Sequence, residues 1–245
     1  MLAAMGRPTM EMLYSKADLH LHTTASDGSA TVRQLLAHVA NSDLQVIAIT
    51  DHDTLAGALE ARRLAKDFGV EVIVGEEVST REGHLLVLFL EHELPPGRPL
   101  VETVAAARAQ NALVIAPHPF DFLMHSVGRT RILGPCASSA WADHVDAIET
   151  FNAGMWLPQA NTQAARFAAA RGLPAVGGSD SHHLPTVGRG YTIFPGRTAD
   201  DLRRAILHGE TRAAGERWGI LRVAEASMLY LQQSLNGHLA TAERG

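Results

Sequence analysis

The sequence predicts an α/β fold, and within that class a closed barrel rather than an open sheet. Short apolar segments alternate along the chain with segments of helical period, an order typical of parallel strands joined by helices. Six or more such strand–helix units in a chain of 245 residues favour a barrel. One domain is expected, because single barrels routinely reach about 250 residues.

Each element is predicted from its own pattern. Short apolar runs predict strands at residues 17–22, 46–50, 70–74, 84–90, 113–116, 145–149, 174–177 and 191–194. Helices are predicted at residues 32–39, 55–68, 101–110, 158–171 and 198–208. In the first helix the apolar positions repeat at i, i+3, i+4 and i+7, as Val32, Leu35, Leu36 and Val39. Thr198 is the predicted N-cap of the last helix, and Gly209 its end.

Three parts of the chain are expected to differ in role. Residues 1–15 read as a leader outside the fold, because Gly6, Arg7 and Pro8 interrupt any apolar run. Residues 16–217 form the predicted barrel domain. Residues 218–245 form a predicted final helix whose apolar side chains either pack on the barrel or make a homodimer contact with a partner subunit.

Composition excludes several classes of protein. Hydrophobic residues make up 46% and charged residues 19%, which argues against a disordered chain. The net charge of −5 argues against an extended nucleic-acid surface. No apolar run is long enough for a membrane-spanning helix. The single cysteine, Cys136, excludes an internal disulfide framework and a cysteine-rich zinc site, so a reducing, cytoplasmic location is expected.

Histidines and carboxylates recur where the predicted strands meet one rim. The 13 histidines equal Phe, Tyr and Trp together. Residues at or after the strand ends are His20, His22, His52, Glu76, Glu77, His118, Glu149, Asp180 and His182, and His84 begins its strand. Because catalytic residues of barrels lie at the carboxyl ends of the strands, these side chains are expected to share one pocket.

The spacing and the residue types predict a metal site. His20 and His22 lie two apart, as do Asp180 and His182, so each pair faces the same side of a strand. Imidazole and carboxylate suit zinc, manganese or iron. Each motif alone has an ordinary structural explanation; Asp53, for example, could cap the following helix. Together they supply too many ligands for one ion and predict two or three, arranged to activate water as in two-metal hydrolases.

With these residues in view, the chain resembles the PHP (polymerase and histidinol phosphatase) family of metal-dependent phosphoesterases over residues 16–194. The motifs are DLHLHTTASDG at residues 18–28, AITDHDT at 48–54, VGEEVS at 74–79, GHLLVL at 83–88, APHP at 116–119 and GGSDSH at 177–182. The resemblance implies a distorted (β/α)7 TIM-like barrel with a multinuclear metal centre at the carboxyl rim of the strands.

The resemblance also implies a role for each ligand. One ion would be held by His20, His22, Glu77 and Asp180. A second would share Glu77 and add His84 and His118, and a third would use Asp27, His52 and His182. Spacing alone does not choose between Glu76 and Glu77; the Gly-x-Glu pattern of the family favours Glu77. Asp18, Asp51 and Asp53 are expected to orient the imidazoles from behind.

The implied activity is hydrolysis of a small phosphorylated substrate, of nucleotide or sugar phosphate type, through a metal-bridging hydroxide. Arg129 and Arg189 lie in predicted rim loops and are expected to bind phosphate. His125 or His183 is expected to protonate the leaving oxygen. Two alternatives use the same site: a carbamate or carboxyl-ester metallohydrolase, and a non-catalytic or DNA-proofreading PHP module.

Overall fold

The fold is built around one curved sheet. The structure, a computed structural model, describes residues 13–121, 124–128, 139–155 and 157–218. The strands in these residues are β1 (Tyr14–Asp18), β2 (Val46–Ile49), β3 (Glu71–Ser79), β4 (His84–Leu88), β5 (Leu113–Ala116), β6 (Ala147–Asn152), β7 (Ala175–Gly178), β8 (Gly190–Pro195) and β9 (Arg212–Gly215). The helices are α1 (Val32–Val39), α2 (Ala56–Phe68), α3 (Leu100–Ala109), α4 (Pro158–Arg171) and α5 (Ala199–His208).

The sheet curls into a nearly closed barrel, in the order β7-β6-β5-β4-β3-β2-β1-β8-β9. Strands β1, β2 and β3 pair in parallel, as do β5, β6 and β7. Strand β4 runs against both of its neighbours, and β8 and β9 are also antiparallel to theirs. The expected α/β barrel is therefore confirmed, whereas the expected count of seven βα units is not.

The barrel closes between β7 and the other end of the sheet. Just beyond the strands, Leu21 and Ser181 pair in parallel. The Thr192 hydroxyl on β8 both accepts from the backbone N–H of Gly177 and donates to its carbonyl, each at 2.9 Å. A Cβ on Gly190 would lie 1.9 Å from the carbonyl oxygen of Gly178, so only glycine allows this approach.

Two apolar layers stabilise the barrel. The inner layer fills the barrel with side chains such as Ile73, Leu88 and Ile115, and α5 closes its lower end with Leu202 and Ile206. The outer layer lies between the strands and α1 to α4. Burial of this apolar surface is the main favourable term in folding, at about 25 cal/mol per Å².

Most predicted elements are confirmed, and the differences have local causes. Strand β4 has no helix before it because the connection from β3 is only residues 80–83. Strand β1 begins at Tyr14, inside the stretch predicted to be a leader, because Tyr14 and Ser15 pair with β8. Strand β9 was not predicted, because RAAG carries no alternating apolar pattern.

Some predictions concern residues that the structure does not describe. Residues 1–12 and 219–245 lie outside the described part of the chain, and so does Cys136. The predicted final helix and its homodimer contact stay predictions. The last described residue, Trp218, donates its backbone N–H to the carbonyl of Ala153 at 3.0 Å. Among the helices that are described, none is long and apolar enough to cross a membrane.

Candidate metal centre

Glu77 lies at the centre of a buried cluster of histidines. Five imidazole nitrogens surround its two carboxylate oxygens at 2.9–3.4 Å. They belong to His84 (Nδ1, 2.9 Å), His20 and His118 (Nε2, both 3.1 Å), His22 (Nε2, 3.3 Å) and His52 (Nδ1, 3.4 Å). Glu77 and the five histidines come from five strands, β1 to β5, or the loops that follow them, so the closed barrel is what brings them together.

Strand β3 explains why Glu77 rather than Glu76 occupies this position. Glu77 and Ile73 lie four residues apart and face the barrel interior, where Ile73 joins the inner apolar layer. Glu76 faces the other side, and its Oε2 accepts from the backbone N–H of Leu94 at 3.1 Å. Burial raises the pKa of Glu76 to about 7.

A second group of donors lies farther out, toward solvent. Asp27 Oδ2 is 3.2 Å from His182 Nε2 and 3.7 Å from His52 Nε2, and its Oδ1 is 3.6 Å from His22 Nδ1. One donor atom from each of these four residues fits within 4.8 Å of all the others. Such a cluster matches the three residues predicted for a third ion, with His22 added.

A third group joins the loops after β1, β5 and β7. Asp180 Oδ1 is 3.4 Å from His20 Nε2 and 3.5 Å from His22 Nε2, and His20, His118 and Asp180 form a further donor set. Both Asp180 (φ 53°) and His118 (φ 27°) have positive φ. Aspartate and histidine tolerate this backbone region better than most residues, although it is strained, and such strain is common at functional sites.

The donor set fits divalent metal ions. Both ring nitrogens of His22 are buried and make no hydrogen bond with any described residue, although carboxylate oxygens lie 3.3–3.6 Å away. A buried polar atom without a hydrogen bond is costly, and a metal ion would satisfy it. Imidazole nitrogen and carboxylate oxygen are ligands that zinc, manganese and iron accept.

The histidines and carboxylates of the cluster strongly shift one another's pKa values. Burial raises the pKa of Glu77, but His20, His52 and His118 outweigh burial and hold that pKa well below its usual range. Burial lowers the pKa of His22, but the carboxylates of Asp180 and Glu77 outweigh it and raise the pKa to about 10. In the ion-free cluster, protons on histidine therefore balance the carboxylates, and bound cations would displace those protons.

The carboxylates predicted to orient the imidazoles, Asp18, Asp51 and Asp53, bond backbone N–H groups and hydroxyls of the rim loops. Their role toward the imidazoles stays a prediction. Asp18 accepts from the backbone N–H groups of His20, Ser179 and Gly188 at 2.8–3.3 Å. Asp51 accepts from Thr23 and from the Ser26 hydroxyl, and Asp53 accepts from Ser79. Backbone turns at the rim leave N–H groups unpaired, and these carboxylates satisfy them.

The groups that do contact the imidazoles were not assigned this role from sequence. Glu149 Oε1 lies 3.1 Å from His20 Nδ1, and Ser126 Oγ lies 3.0 Å from His118 Nδ1. His182 Nδ1 lies 3.0 Å from the backbone carbonyl of Asp180. The position of Glu149 at a strand end was visible in the sequence, but nothing local distinguished Ser126 from any other loop serine.

The four residues predicted to bind or protonate the substrate differ in position and exposure. Arg129 lies outside the described residues. The Arg189 guanidinium is at the surface, 3.4 Å from Glu216 Oε2. The exposed His125 lies at the rim, its ring 5.2 Å from that of His84. His183 is buried and packs edge-on against Trp218, with 5.4 Å between the ring centroids.

Comparison with known proteins identifies the family. The model of the PHP domain matches residues 18–153, more than half of the chain. The chain belongs to the PHP family. A second model, described as PHP-associated, matches residues 158–211. The PHP match contains Glu77 and every other predicted ligand except Asp180 and His182, which lie in the PHP-associated segment.

Individual curated proteins are similar to parts of the chain. An uncharacterized protein of Methanocaldococcus jannaschii is 36% identical over 149 residues, which cover 56% of this PHP protein and 82% of the relative. The phosphoribosyl 1,2-cyclic phosphate 1,2-diphosphodiesterase of Eggerthella lenta is 39% identical over 102 residues, only 39% of either chain.

A solved structure matches the fold over most of the chain. It is a two-domain protein of Bacteroides vulgatus, described as containing a predicted PHP-like metal-dependent phosphoesterase. The TM-score is 0.68 at 20% identity, and the match covers 90% of this chain and 70% of that one. At this identity the likeness supports the fold alone.

Proposed function

We propose that this PHP protein is a metal-dependent phosphoesterase that hydrolyses a small phosphorylated molecule, of nucleotide or sugar phosphate type. The observation that carries the proposal is the convergence of five imidazoles on the buried Glu77. Membership of the PHP family supports the reaction class. The phosphodiesterase named among the relatives supports a phosphorylated sugar as one substrate to test.

The ligand assignment follows the three donor groups. His20, His22, Glu77 and Asp180 would hold one ion. Glu77 would be shared with a second ion at His84 and His118, and the outer group of Asp27, His52 and His182 would hold a third. Manganese, zinc or iron at these positions would supply an activated water and positive charge for the phosphoryl oxygens.

The side chains around the ions would bind the substrate and move a proton. Arg189 would give up its weak, exposed pairing with Glu216 and bind a phosphate oxygen, since exposed ion pairs contribute little. Arg129 is the second proposed phosphate ligand. His125 is better placed than His183 to protonate the leaving oxygen, because His125 is exposed at the rim and His183 is buried against Trp218.

A phosphate-release screen tests this function. The purified protein is stripped with a chelator, loaded with manganese, zinc or iron, and assayed on nucleotides, sugar phosphates and histidinol phosphate. We expect activity that depends on the added metal and falls to background in Glu77→Gln. Hydrolysis of a carboxyl ester or carbamate but of no phosphate ester would favour the alternative hydrolase. Metal binding without any hydrolysis would favour the non-catalytic or DNA-proofreading module.

The residues proposed for substrate are tested separately from the ligands. Arg189→Ala and Arg129→Ala are expected to raise KM for the phosphate ester about tenfold or more while the metal content stays at the wild-type level. His125→Asn is expected to lower kcat by about 10²–10⁴-fold, and His183→Asn is its matched control. Equal effects of the two histidine variants would contradict the choice of His125.

A further inference from the structure

Three buried polar side chains form a hydrogen-bonded chain beside His20, and it runs from Glu149 at His20 Nδ1 to Asp180 at His20 Nε2. Glu149 and Asn152 come from β6, and Asp180 follows β7. Their residues are 0–4% exposed. Nothing in the proposed ligand sets uses Glu149 or Asn152, so the chain needs a separate explanation.

Asn152 links two carboxylates that would otherwise repel each other. Its Nδ2 donates to Glu149 Oε2 at 2.9 Å and to Asp180 Oδ2 at 3.0 Å. Its Oδ1 accepts from the backbone N–H of Gly154 at 2.9 Å, which fixes the amide with its NH₂ group toward the carboxylates. Both amide protons are thus used, one for each carboxylate.

An irregularity in the pairing of β6 with β7 brings Asn152 close to Glu149. Residues three apart on a regular strand face opposite sides of the sheet. The pairing of β6 with β7 shifts between Glu149 and Phe151, and this irregularity turns Asn152 to the same side as Glu149. Asn161 of α4 then holds the backbone of Asn152, because its side chain bonds both the N–H and the carbonyl at 3.0–3.1 Å.

Glu149 in turn determines which ring nitrogen of His20 carries the proton. Its Oε2 accepts from the backbone N–H of His118 at 2.8 Å and from Asn152, so its Oε1 is directed at His20 Nδ1 at 3.1 Å. A carboxylate can only accept there, which places the ring proton on Nδ1 and leaves the Nε2 lone pair for an ion. Nε2 is the atom that faces Glu77 and Asp180.

We propose that Glu149 and Asn152 are positioning residues that together set the affinity of the ion held by His20 and Asp180. Glu149 fixes the ring tautomer and orientation of His20, and Asn152 fixes the Asp180 carboxylate at the same site. This inference rests on the proposed function, because it requires that the cluster binds metal. It concerns one ion, since neither residue touches the outer group of Asp27, His52 and His182.

Glu149→Gln is the sharpest test because it keeps size and shape. A glutamine side chain ends in one oxygen and one NH₂ group. The NH₂ group would face either His20 Nδ1 or the two donors, the His118 N–H and Asn152 Nδ2. The first case moves the ring proton to Nε2, and the second loses the hydrogen bonds that hold the side chain. We expect the Mn²⁺ concentration for half-saturation of the affected site to rise about 10–100-fold, as for other groups that orient metal ligands.

Asn152→Asp and Thr150→Val form a matched pair for the second residue. Both replace a buried polar residue of β6, but Asn152 touches Glu149 and Asp180, whereas the Thr150 hydroxyl donates to the carbonyl of Val176. We expect Asn152→Asp to lose about one Mn²⁺ per chain at limiting metal, and Thr150→Val to keep the wild-type content. Elemental analysis after equilibrium dialysis measures the content, and thermal unfolding in chelator measures the ion-free fold.

Three results would overturn the inference. In the first, Glu149→Gln and Asn152→Asp lower the melting temperature in chelator but leave the Mn²⁺ titration unchanged, which means a purely structural role. In the second, Thr150→Val loses the same ion as Asn152→Asp. In the third, the wild-type protein binds no Mn²⁺, zinc or iron, and the proposed function then fails together with the inference.

Discussion

The two ends of the barrel interior are built from the same strands, but burial stabilises one end and destabilises the other. The lower end is apolar, with Ala48 of β2, Ile73 of β3 and Val176 of β7 in the inner layer. Four residues further along the same face of each strand or its extension lie His52, Glu77 and Asp180. Along each of these chain segments, the interior-facing side chains therefore change from apolar to imidazole or carboxylate within about 13 Å of strand length.

This difference indicates that the apolar end contributes mainly to stability and the polar end mainly to function. The apolar end is stabilised by burial itself. The polar end is almost equally buried, but burial opposes it, so its charges must be balanced by protons or by metal ions. We therefore expect substitutions at the lower end to change the free energy of unfolding, and substitutions at the rim to change metal content and activity.

The largest expected effect is at the centre of the cluster. Glu77→Gln removes the charge that five imidazoles surround, so we expect loss of metal and a fall in kcat of about a thousandfold or more. Elemental analysis and the phosphate-release assay measure these changes. Glu76→Gln is the control, because Glu76 lies next in the chain but faces away from the cluster; equal damage by both would contradict the contrast.

Strand β4 allows the two ends to be compared on one face. Leu88→Ala at the apolar end is expected to lower the free energy of unfolding by about 2–5 kcal/mol, because it leaves a cavity beside fully buried neighbours. His84→Ala at the rim is expected to lower metal content with a much smaller change in the ion-free protein. Urea unfolding in chelator, with metal analysis of the folded protein, separates the two. Reversed effects would refute the division.

Ser126→Ala tests a contact behind the cluster. Loss of the hydroxyl leaves His118 Nδ1 without its partner at 3.0 Å, and we expect metal affinity to fall about tenfold. A Mn²⁺ titration followed by thermal unfolding measures the change. Ser42→Ala, at the end of α1, is the control; its hydroxyl bonds only the local backbone. An unchanged titration in Ser126→Ala would show that His118 is oriented by packing alone.

The smallest expected effect is at the helix that closes the apolar end. Thr198 caps α5 and forms a capping box with Asp201. Thr198→Ala is expected to lower the free energy of unfolding by about 1 kcal/mol and to leave metal content unchanged. Thr162→Ala, on the exposed face of α4, should change stability by less than about 0.5 kcal/mol. A loss of metal in Thr198→Ala would mean that the two ends are coupled.

Sequence predicted the helices well, because they depend on local patterns. Helix α5 ends at Gly209 with φ 70°, as its glycine predicted. The reversed direction of β4 could not be predicted, since an apolar run carries no sign of parallel or antiparallel pairing.

The groups that orient the ligands depend on contacts between distant residues. Ser126 is placed behind His118 by a loop that lies against Gly83, where a Cβ would be 2.4 Å from the backbone nitrogen of Val127. Asn152 acquires its position from an irregularity in pairing between β6 and β7. Neither constraint appears in the local pattern. Along β3, too, the local pattern does not separate Glu77 from Glu76, because Val72, Ile73 and Val74 place apolar side chains on both faces of the strand.

The reversal of β4 has a consequence for how new specificities could arise. A parallel strand in its place would have needed a whole helix on the outside of the barrel to return the chain. Here only Thr80, Arg81, Glu82 and Gly83 make the return, at the end of the barrel where His84 lies. The Glu82 carboxylate accepts from the backbone N–H of Leu100 at the start of α3 at 2.7 Å, and Gly83 packs against Val127. A loop inserted in this turn would therefore act on the rim through α3 and through the segment that carries Ser126.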